Sequence, residues 1–175
     1  DSENFKINGG QGDDGQVLTS TGSGVAWEAA SGGATDINGL SDAKTFGTSS
    51  IMLGDATTGT IDAANYNYGF GVDVFAALTA GDANIAIGFS ALNANTSGSF
   101  NTAVGHFALD ACVSDSNNTG IGALALEVCV GSGNTAVGSS ALAKNTSAAN
   151  NTAVGLTALD AATTGGANTA VGKDA

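Results

Sequence analysis

The feature that most constrains this chain is a five-residue segment, Asn-Thr-Ala-Val-Gly, that returns every 17 residues. It occurs four times in this form and in four variants, of which Ser50 to Gly54 is the most divergent. Its closing glycines stand at positions 54, 71, 88, 105, 122, 138, 155 and 172, so six of seven spacings are 17 and one is 16. Such a constant period predicts units that stack on one another.

Each unit combines two short strands with a glycine bend and a polar loop. An Ala-Leu pair such as Ala108-Leu109 follows five of the bends, with Val74-Phe75 as an early variant, and turns such as Thr96-Ser97-Gly98 close the unit. Helical repeats need about 33 residues, so 17 residues favour β-structure. We predict an all-β fold, a parallel β-solenoid or β-roll of about eight 17-residue coils over residues 49–175. Strands about 4.8 Å apart would give a rod of about 35 Å.

The strand itself shows a period of two. We expect Thr102 and Val104 to point into the coil and Ala103 to point outward. Stacked coils would then form columns of Val and Leu, glycine bends and a ladder of hydrogen-bonded Asn amides. The predicted structural positions are Asn84, Gly88, Asn101, Val104, Gly105, Leu109, Asn118, Gly122, Asn134, Val137, Gly138, Leu142, Asn151, Val154, Gly155, Leu159 and Asn168.

Two alanine columns are expected on the outside of the coil. They comprise Ala86, Ala103, Ala136, Ala153 and Ala170, and Ala91, Ala108, Ala125, Ala141 and Ala158. Small apolar columns on an outer face suit close packing against further copies, which favours a homotrimer. The alternative is that small residues suit a thin, tightly wound coil.

Residues 1–48 lack the repeat and form a predicted N-terminal attachment segment. Residues 16–19 and 25–28 flank a Ser- and Gly-rich turn and predict an extended β-meander. Trp27 could be a ligand platform, but a packing anchor is favoured.

Composition limits the partners. The chain has a net charge of −12 with four Lys and Arg residues, which argues against nucleic acid and anionic membranes. Its apolar runs are too short for membrane insertion, and no signal peptide is visible. Cations or polar glycans remain as partners, and the acidity would also keep a Gly- and Ala-rich rod soluble. We expect the chain to be a fragment of a longer fibre.

Cys112 and Cys129 occupy the same position in adjacent repeats. Neighbouring coils would place their Cα atoms about 4.8 Å apart, within disulfide range. A bridge would join two coils, whereas two buried free thiols would pack as small hydrophobes, and the latter is favoured. We predict no metal site, because His106 lies in another part of the coil.

Three carboxylates, Asp110, Glu127 and Asp160, share one repeat position, with Asn93 and Ala143 in the same series. They could hold Ca²⁺, but a solvated acidic edge is favoured. No pair of carboxylates is distinguished from the rest, so we predict no catalytic residue, no cofactor and no enzyme activity.

A column of threonines raises a different function. Thr102, Thr119, Thr135, Thr152 and Thr169 are aligned, as in flat solenoids that bind ice. Ice binding needs such a column on an outer strand face, and the predicted inward orientation disfavours it.

The pattern NTAVGxxAL at 17-residue spacing, preceded by GQVLTSTGSGVAWEA and DINGLSDAKT, resembles tail-fibre proteins of bacteriophages, notably those infecting marine cyanobacteria. The repeat, above all NIAIG at Asn84, is also similar to head repeats of trimeric autotransporter adhesins. Those heads are trimers of left-handed parallel β-rolls with shorter repeats.

The resemblance implies a structural and adhesive fibre segment, a phage tail-fibre rod involved in host-cell attachment and located on the virion, outside the cell. It implies homotrimerisation and contact with other virion or fibre proteins, with a host-surface glycan as a further expected partner. The alternative is a cell-surface trimeric adhesin or an extracellular filament subunit.

Overall fold

The computed structural model describes residues 16–20, 25–29, 43–46, 50–53, 63–129, 131–162 and 164–175. The chain divides into two compact units, Asp1–Ser41 and Asp42–Ala175. The described residues form eleven strands and no helix. None of them therefore belongs to a helix long and apolar enough to cross a membrane.

The first unit contains an antiparallel pair of strands, β1 (Gln16–Ser20) and β2 (Val25–Ala29), with Leu18 opposite Trp27. Both predicted strands are present, and each is one residue longer than predicted. The prediction that Trp27 anchors packing concerns a side chain outside the described part of the structure.

The second unit contains a nine-stranded sheet. Its strands are β3 (Ala43–Phe46), β4 (Ser50–Leu53), β5 (Tyr68–Phe70), β6 (Ile85–Ile87), β7 (Thr102–Val104), β8 (Thr119–Ile121), β9 (Thr135–Val137), β10 (Thr152–Val154) and β11 (Thr169–Val171). β3 pairs antiparallel with β4, and β4 to β11 pair in parallel, each with the next along the chain. Eight parallel strands and about six turns confirm the β-solenoid. This unit also contains β3, which pairs with β4.

Equivalent residues stack directly on one another. Thr152 pairs with Thr135 on one side and with Thr169 on the other. The 16-residue spacing does not disturb this register: the Val128 N–H donates to the Ala143 carbonyl, and the Ser116 N–H donates to Ser132 Oγ. The missing residue therefore lies between Val128 and Ser132, in the polar loop that ends this repeat.

The predicted asparagine ladder runs through the buried interior. The Asn101 N–H donates to Asn84 Oδ1 at 2.9 Å, and the Asn118 N–H donates to Asn101 Oδ1 at 3.0 Å. The Asn84 amide also donates to the Gly98 carbonyl at 2.9 Å. Asn84 thus joins two coils and a loop, which satisfies polar groups that would be costly to bury unpaired. Asn151 Nδ2 is the exception among the described residues, since it is buried and has no hydrogen-bond partner.

The predicted orientation of the strands is wrong. Ala103 is completely buried, whereas Thr102 and Val104 are partly exposed. Ala86, Ala136 and Ala153 are buried in the same way. The second alanine column is also inside: Ala91, Ala108, Ala125, Ala141 and Ala158 have no exposed surface. The predicted leucine column is confirmed, with Leu92, Leu109, Leu126 and Leu142 fully buried and Leu159 partly buried.

The narrow interior explains this orientation. A Cβ added to Gly120 would lie 3.2 Å from Leu109 Cδ1, so leucine side chains already fill the space beside the inward strand position. Where Phe75 replaces leucine, the inward strand residue is Gly69, and an added Cβ would lie 3.2 Å from the Phe75 ring. In β5 to β11 the central, inward position therefore holds alanine or glycine, and the β-branched residues face outward. The equivalent position in β4 is occupied by the buried Met52.

Candidate interaction surface

The outward columns of β5 to β11 form a continuous surface, which we call the ladder face. One column is Tyr68, Ile85, Thr102, Thr119, Thr135, Thr152 and Thr169. The other is Phe70, Ile87, Val104, Ile121, Val137, Val154 and Val171. Six strand spacings of about 4.8 Å give the face a length of about 29 Å.

The ladder face is apolar and uncharged. Phe70 is 44 % exposed, and Ile85, Ile87 and Ile121 are 40–41 % exposed. Within these seven strands no outward position carries a charged side chain, although the whole chain has a net charge of −12. The sequence analysis missed this surface because it assigned these residues to the interior.

An aromatic cluster lies beside the ladder face, just after two of the glycine bends. The Phe89 and His106 rings are stacked with centroids 5.4 Å apart, and Phe107 meets both rings edge-on. Phe89 is 42 % exposed and His106 is exposed. His106, the only histidine of the sequence, therefore lies on the surface of the coil.

The structure joins Cys112 and Cys129 as a disulfide with their Cα atoms 4.7 Å apart. The predicted spacing is therefore confirmed, but the favoured interpretation as free thiols is not what the structure shows. Both residues are buried in the core of the coil.

Asp115 lies beside this pair. The two sulfurs and one Asp115 carboxylate oxygen all lie within 4.8 Å of one another. Asp115 is partly exposed, so the cluster connects the interior with solvent. The repeat spacing did not reveal Asp115, because this residue occupies a different repeat position from the cysteines. It approaches them only through the path of its loop.

The predicted acidic column is also present. The Ala94 N–H donates to the Asp110 carbonyl and the Ala111 N–H donates to the Glu127 carbonyl, which places the two carboxylates on adjacent coils. Burial, and then repulsion from Glu127, raise the pKa of Asp110 above its ordinary value. Asp160 lies further along and accepts a bond from Lys144 Nζ at 2.9 Å. All three acidic residues are partly buried, so this edge of the coil is less solvated than the sequence predicts.

We expect Asp110→Asn to raise the thermal unfolding midpoint at pH 7. Because the folded state raises the pKa of Asp110, ionisation opposes folding, and stability is lost as pH rises from the unfolded to the folded pKa. Asn removes that loss, so its advantage should vanish below about pH 3.8, the ordinary pKa. The gain should be about 0.5 kcal/mol or less, as for partly exposed sites. Calorimetry at pH 7 and pH 3 measures it.

Asp160→Asn is the matched control, because Asp160 has Lys144 as its partner. It should leave the midpoint unchanged or lower it at pH 7. A midpoint for Asp110→Asn at or below that of the wild type at pH 7 would contradict the electrostatic cause.

An open depression lies at the last coil and is lined by Thr157, Leu159, Asp160 and Asp174, among others. It is formed where no further coil covers the end of the described solenoid, so it reflects the end of the stack. Asp160 pairs with Lys144, and Asp174 pairs with Lys173 and accepts a hydrogen bond from the Thr157 hydroxyl.

Comparison of the chain with protein-family models, with curated proteins and with solved structures finds no match.

Proposed function

We propose that this chain is a structural and adhesive fibre segment, a rod of a phage tail fibre that takes part in host-cell attachment on the outside of the virion. The rod is a homotrimer assembled through the ladder face. The observation that carries the proposal is the uncharged, apolar surface along one side of the solenoid. The resemblance of the repeat to phage fibre sequences supports the same role.

The ladder face needs a partner for a physical reason. Contiguous exposed apolar surface is unfavourable in water and marks an interaction site in soluble proteins. Its side chains repeat at every coil, so a second copy placed side by side can make the same contact along the whole length. Three copies around a common axis would bury the ladder face of every copy, and the assembly would then be closed. The alanine columns are buried within each coil, so they cannot form the contact between copies that the sequence predicts.

The coil also suits a load-bearing rod. Each strand is hydrogen-bonded to the strands of neighbouring coils, and the Asn ladder adds a bond at every step. These hydrogen bonds join each coil to its neighbours, so they are distributed along the whole rod and not concentrated in one contact. Such a rod spaces other virion or fibre proteins from the host surface.

Adhesion is proposed to use the flank of the rod. The Phe89, His106 and Phe107 cluster offers ring surfaces and an imidazole that can hydrogen-bond, a combination suited to a host-surface glycan. With a net charge of −12, the chain is not proposed to bind nucleic acid, insert into a membrane or act as an enzyme.

A cell-surface trimeric adhesin or an extracellular filament subunit would use the same rod and the same trimer. Detection of the chain in purified virions favours the tail fibre. Its detection in cell envelopes free of virions favours the adhesin or filament.

The outward threonines favour ice binding as a second candidate function. Thr102, Thr119, Thr135, Thr152 and Thr169 form an outer column, which is the condition that the predicted inward orientation failed to meet. The strands repeat about every 4.8 Å, so the hydroxyls form a regular array. This function requires a free ladder face, whereas the fibre trimer covers it. A monomer that lowers the freezing point of water below its melting point would replace the fibre proposal with this one.

We expect light scattering to give three times the 16.8 kDa mass of one chain. Val104→Asp should reduce this to the mass of one chain while the far-UV circular dichroism of the solenoid is retained. Val104 is a partly exposed member of the ladder face, and a trimer would bring three added carboxylates together at a cost of several kcal/mol.

Ala111→Asp is the matched control, because Ala111 is exposed on the same repeat but lies outside the ladder face. It should leave the trimer intact. A wild-type chain that remains a monomer, or equal dissociation by both variants, would contradict assembly through the ladder face.

A further inference from the structure

Asparagine occupies the same loop position in two of the coils, as Asn95 and Asn145. The Asn95 side chain bonds its own loop twice: the Gly98 N–H donates to Oδ1 at 2.8 Å, and Nδ2 donates to the Gly98 carbonyl at 3.0 Å. Asn145 makes the same two bonds with Ala148. In these coils the buried amide closes the polar loop.

The two coils between them replace this amide with sulfur. Cys112 and Cys129 occupy the position in adjacent coils and are 0 % and 1 % exposed. The Asn118 amide donates to Cys112 Sγ at 3.8 Å, and Cys129 Sγ lies 3.8 Å from the Gly131 carbonyl. Both loops lack the amide closure, and the two sulfurs join adjacent coils instead.

Asp115 adds a third ligand atom. Its carboxylate and both sulfurs lie within 4.8 Å of one another, and Asp115 stands in the loop position held by Gly98 in the coil before. A carboxylate placed beside two sulfurs does not help a disulfide, which carries no charge. It does favour a cation that two thiolates can also bind.

The donor set selects the kind of cation. Two thiolates with one carboxylate suit Zn²⁺ or another soft divalent ion, since thiolates bind such ions and hard cations prefer oxygen ligands alone. The partly exposed Asp115 leaves room for water to complete a four-coordinate shell.

We propose that the reduced chain binds one Zn²⁺ or similar soft divalent cation through Cys112, Cys129 and Asp115, and that the disulfide is the oxidised alternative at the same place. Reduction by a phosphine breaks the S–S bond and transfers two electrons to it. Two protons complete the thiols, and the phosphine is oxidised to its oxide with oxygen from water. The cation then displaces both thiol protons to solvent. The bound cation would thus join the two coils in reducing surroundings, and the disulfide would join the same two coils in oxidising surroundings.

The test uses the full chain with Cd²⁺ and Zn²⁺ as probes. The chain is reduced with a phosphine, freed of reductant without oxygen and titrated with each metal. One Cd²⁺ per chain should produce thiolate-to-metal charge-transfer absorption, and Zn²⁺ should compete for the same site and raise the thermal unfolding midpoint. The oxidised chain, Cys112→Ser and Cys129→Ser should show neither effect.

Asp115→Asn distinguishes a three-ligand site from a simple thiol pair. It should keep the absorption and weaken affinity by at least about tenfold, the lower end of what loss of even an outer partner does. His106→Gln is the matched control for adventitious binding at the exposed histidine, and it should bind like the wild type. The proposal is overturned if the reduced wild type binds no metal, if Cys112→Ser retains binding, or if Asp115→Asn binds as tightly as the wild type.

Discussion

Ala153→Asp is expected to abolish the cooperative unfolding of the solenoid at neutral pH. Ala153 is the central residue of β10, has no exposed surface and pairs with Ala136 and Ala170 on the two neighbouring strands. The substitution places a carboxylate in a narrow apolar interior that offers it no cation. Burial of an unpaired charge and overpacking each contribute, so we expect a loss of at least about 3 kcal/mol. Urea denaturation followed by circular dichroism measures it.

Val154→Asp, one residue away, provides the comparison. Val154 faces outward on the ladder face, so the added carboxylate remains in water in a single chain. The coil should keep its circular dichroism and lose only assembly with other copies. If Val154→Asp unfolded the chain and Ala153→Asp did not, the strand would face the other way, as the sequence analysis predicted.

The sequence was sufficient to predict how coils stack. A constant 17-residue period leaves one way to align identical residues, so the strands, their parallel register and the Asn ladder follow from it. The 16-residue repeat keeps the same register, because the loss of one residue is tolerated in a loop but not in a strand. These features depend on the spacing of residues along the chain, which is visible in the sequence.

The orientation of each strand could not be predicted in the same way. Alternation with a period of two separates Ala103 from Val104 but does not say which of them is inside. That depends on the width of the coil, which is set by Leu109 and its equivalents on the adjacent segment of the coil. The usual preference for burying valine over alanine gave the wrong answer, because the larger residue does not fit.

The same limit affected the candidate sites. The ladder face became visible only when its residues were found outside the coil. The cysteine spacing was predicted to within 0.1 Å of the observed 4.7 Å, but Asp115 joins the pair only through the path of the loop. The repeat period alone therefore predicts contacts between residues at the same repeat position. It does not predict contacts between residues at different repeat positions.

The second large effect is expected at the glycine bends, where Gly122→Ala should lower the free energy of unfolding by about 2 to 6 kcal/mol. Gly122 has a φ of +133°, which L side chains rarely adopt, and an added Cβ would lie 2.6 Å from the Gly138 carbonyl oxygen on the next coil. The strained backbone contributes about 1–3 kcal/mol and the overlap contributes a similar amount. The loss is measured by urea denaturation.

Gly172→Ala separates the two causes. Gly172 has nearly the same φ, +137°, but the nearest atom to an added Cβ is Ala175 Cβ at 3.7 Å, an ordinary contact. It should therefore show only the strain, with a loss of about 1–3 kcal/mol. Equal losses at Gly122 and Gly172 would mean that neighbouring coils move apart easily. A larger loss at Gly122 would show that the close approach of the next coil, as well as backbone conformation, requires glycine at this bend.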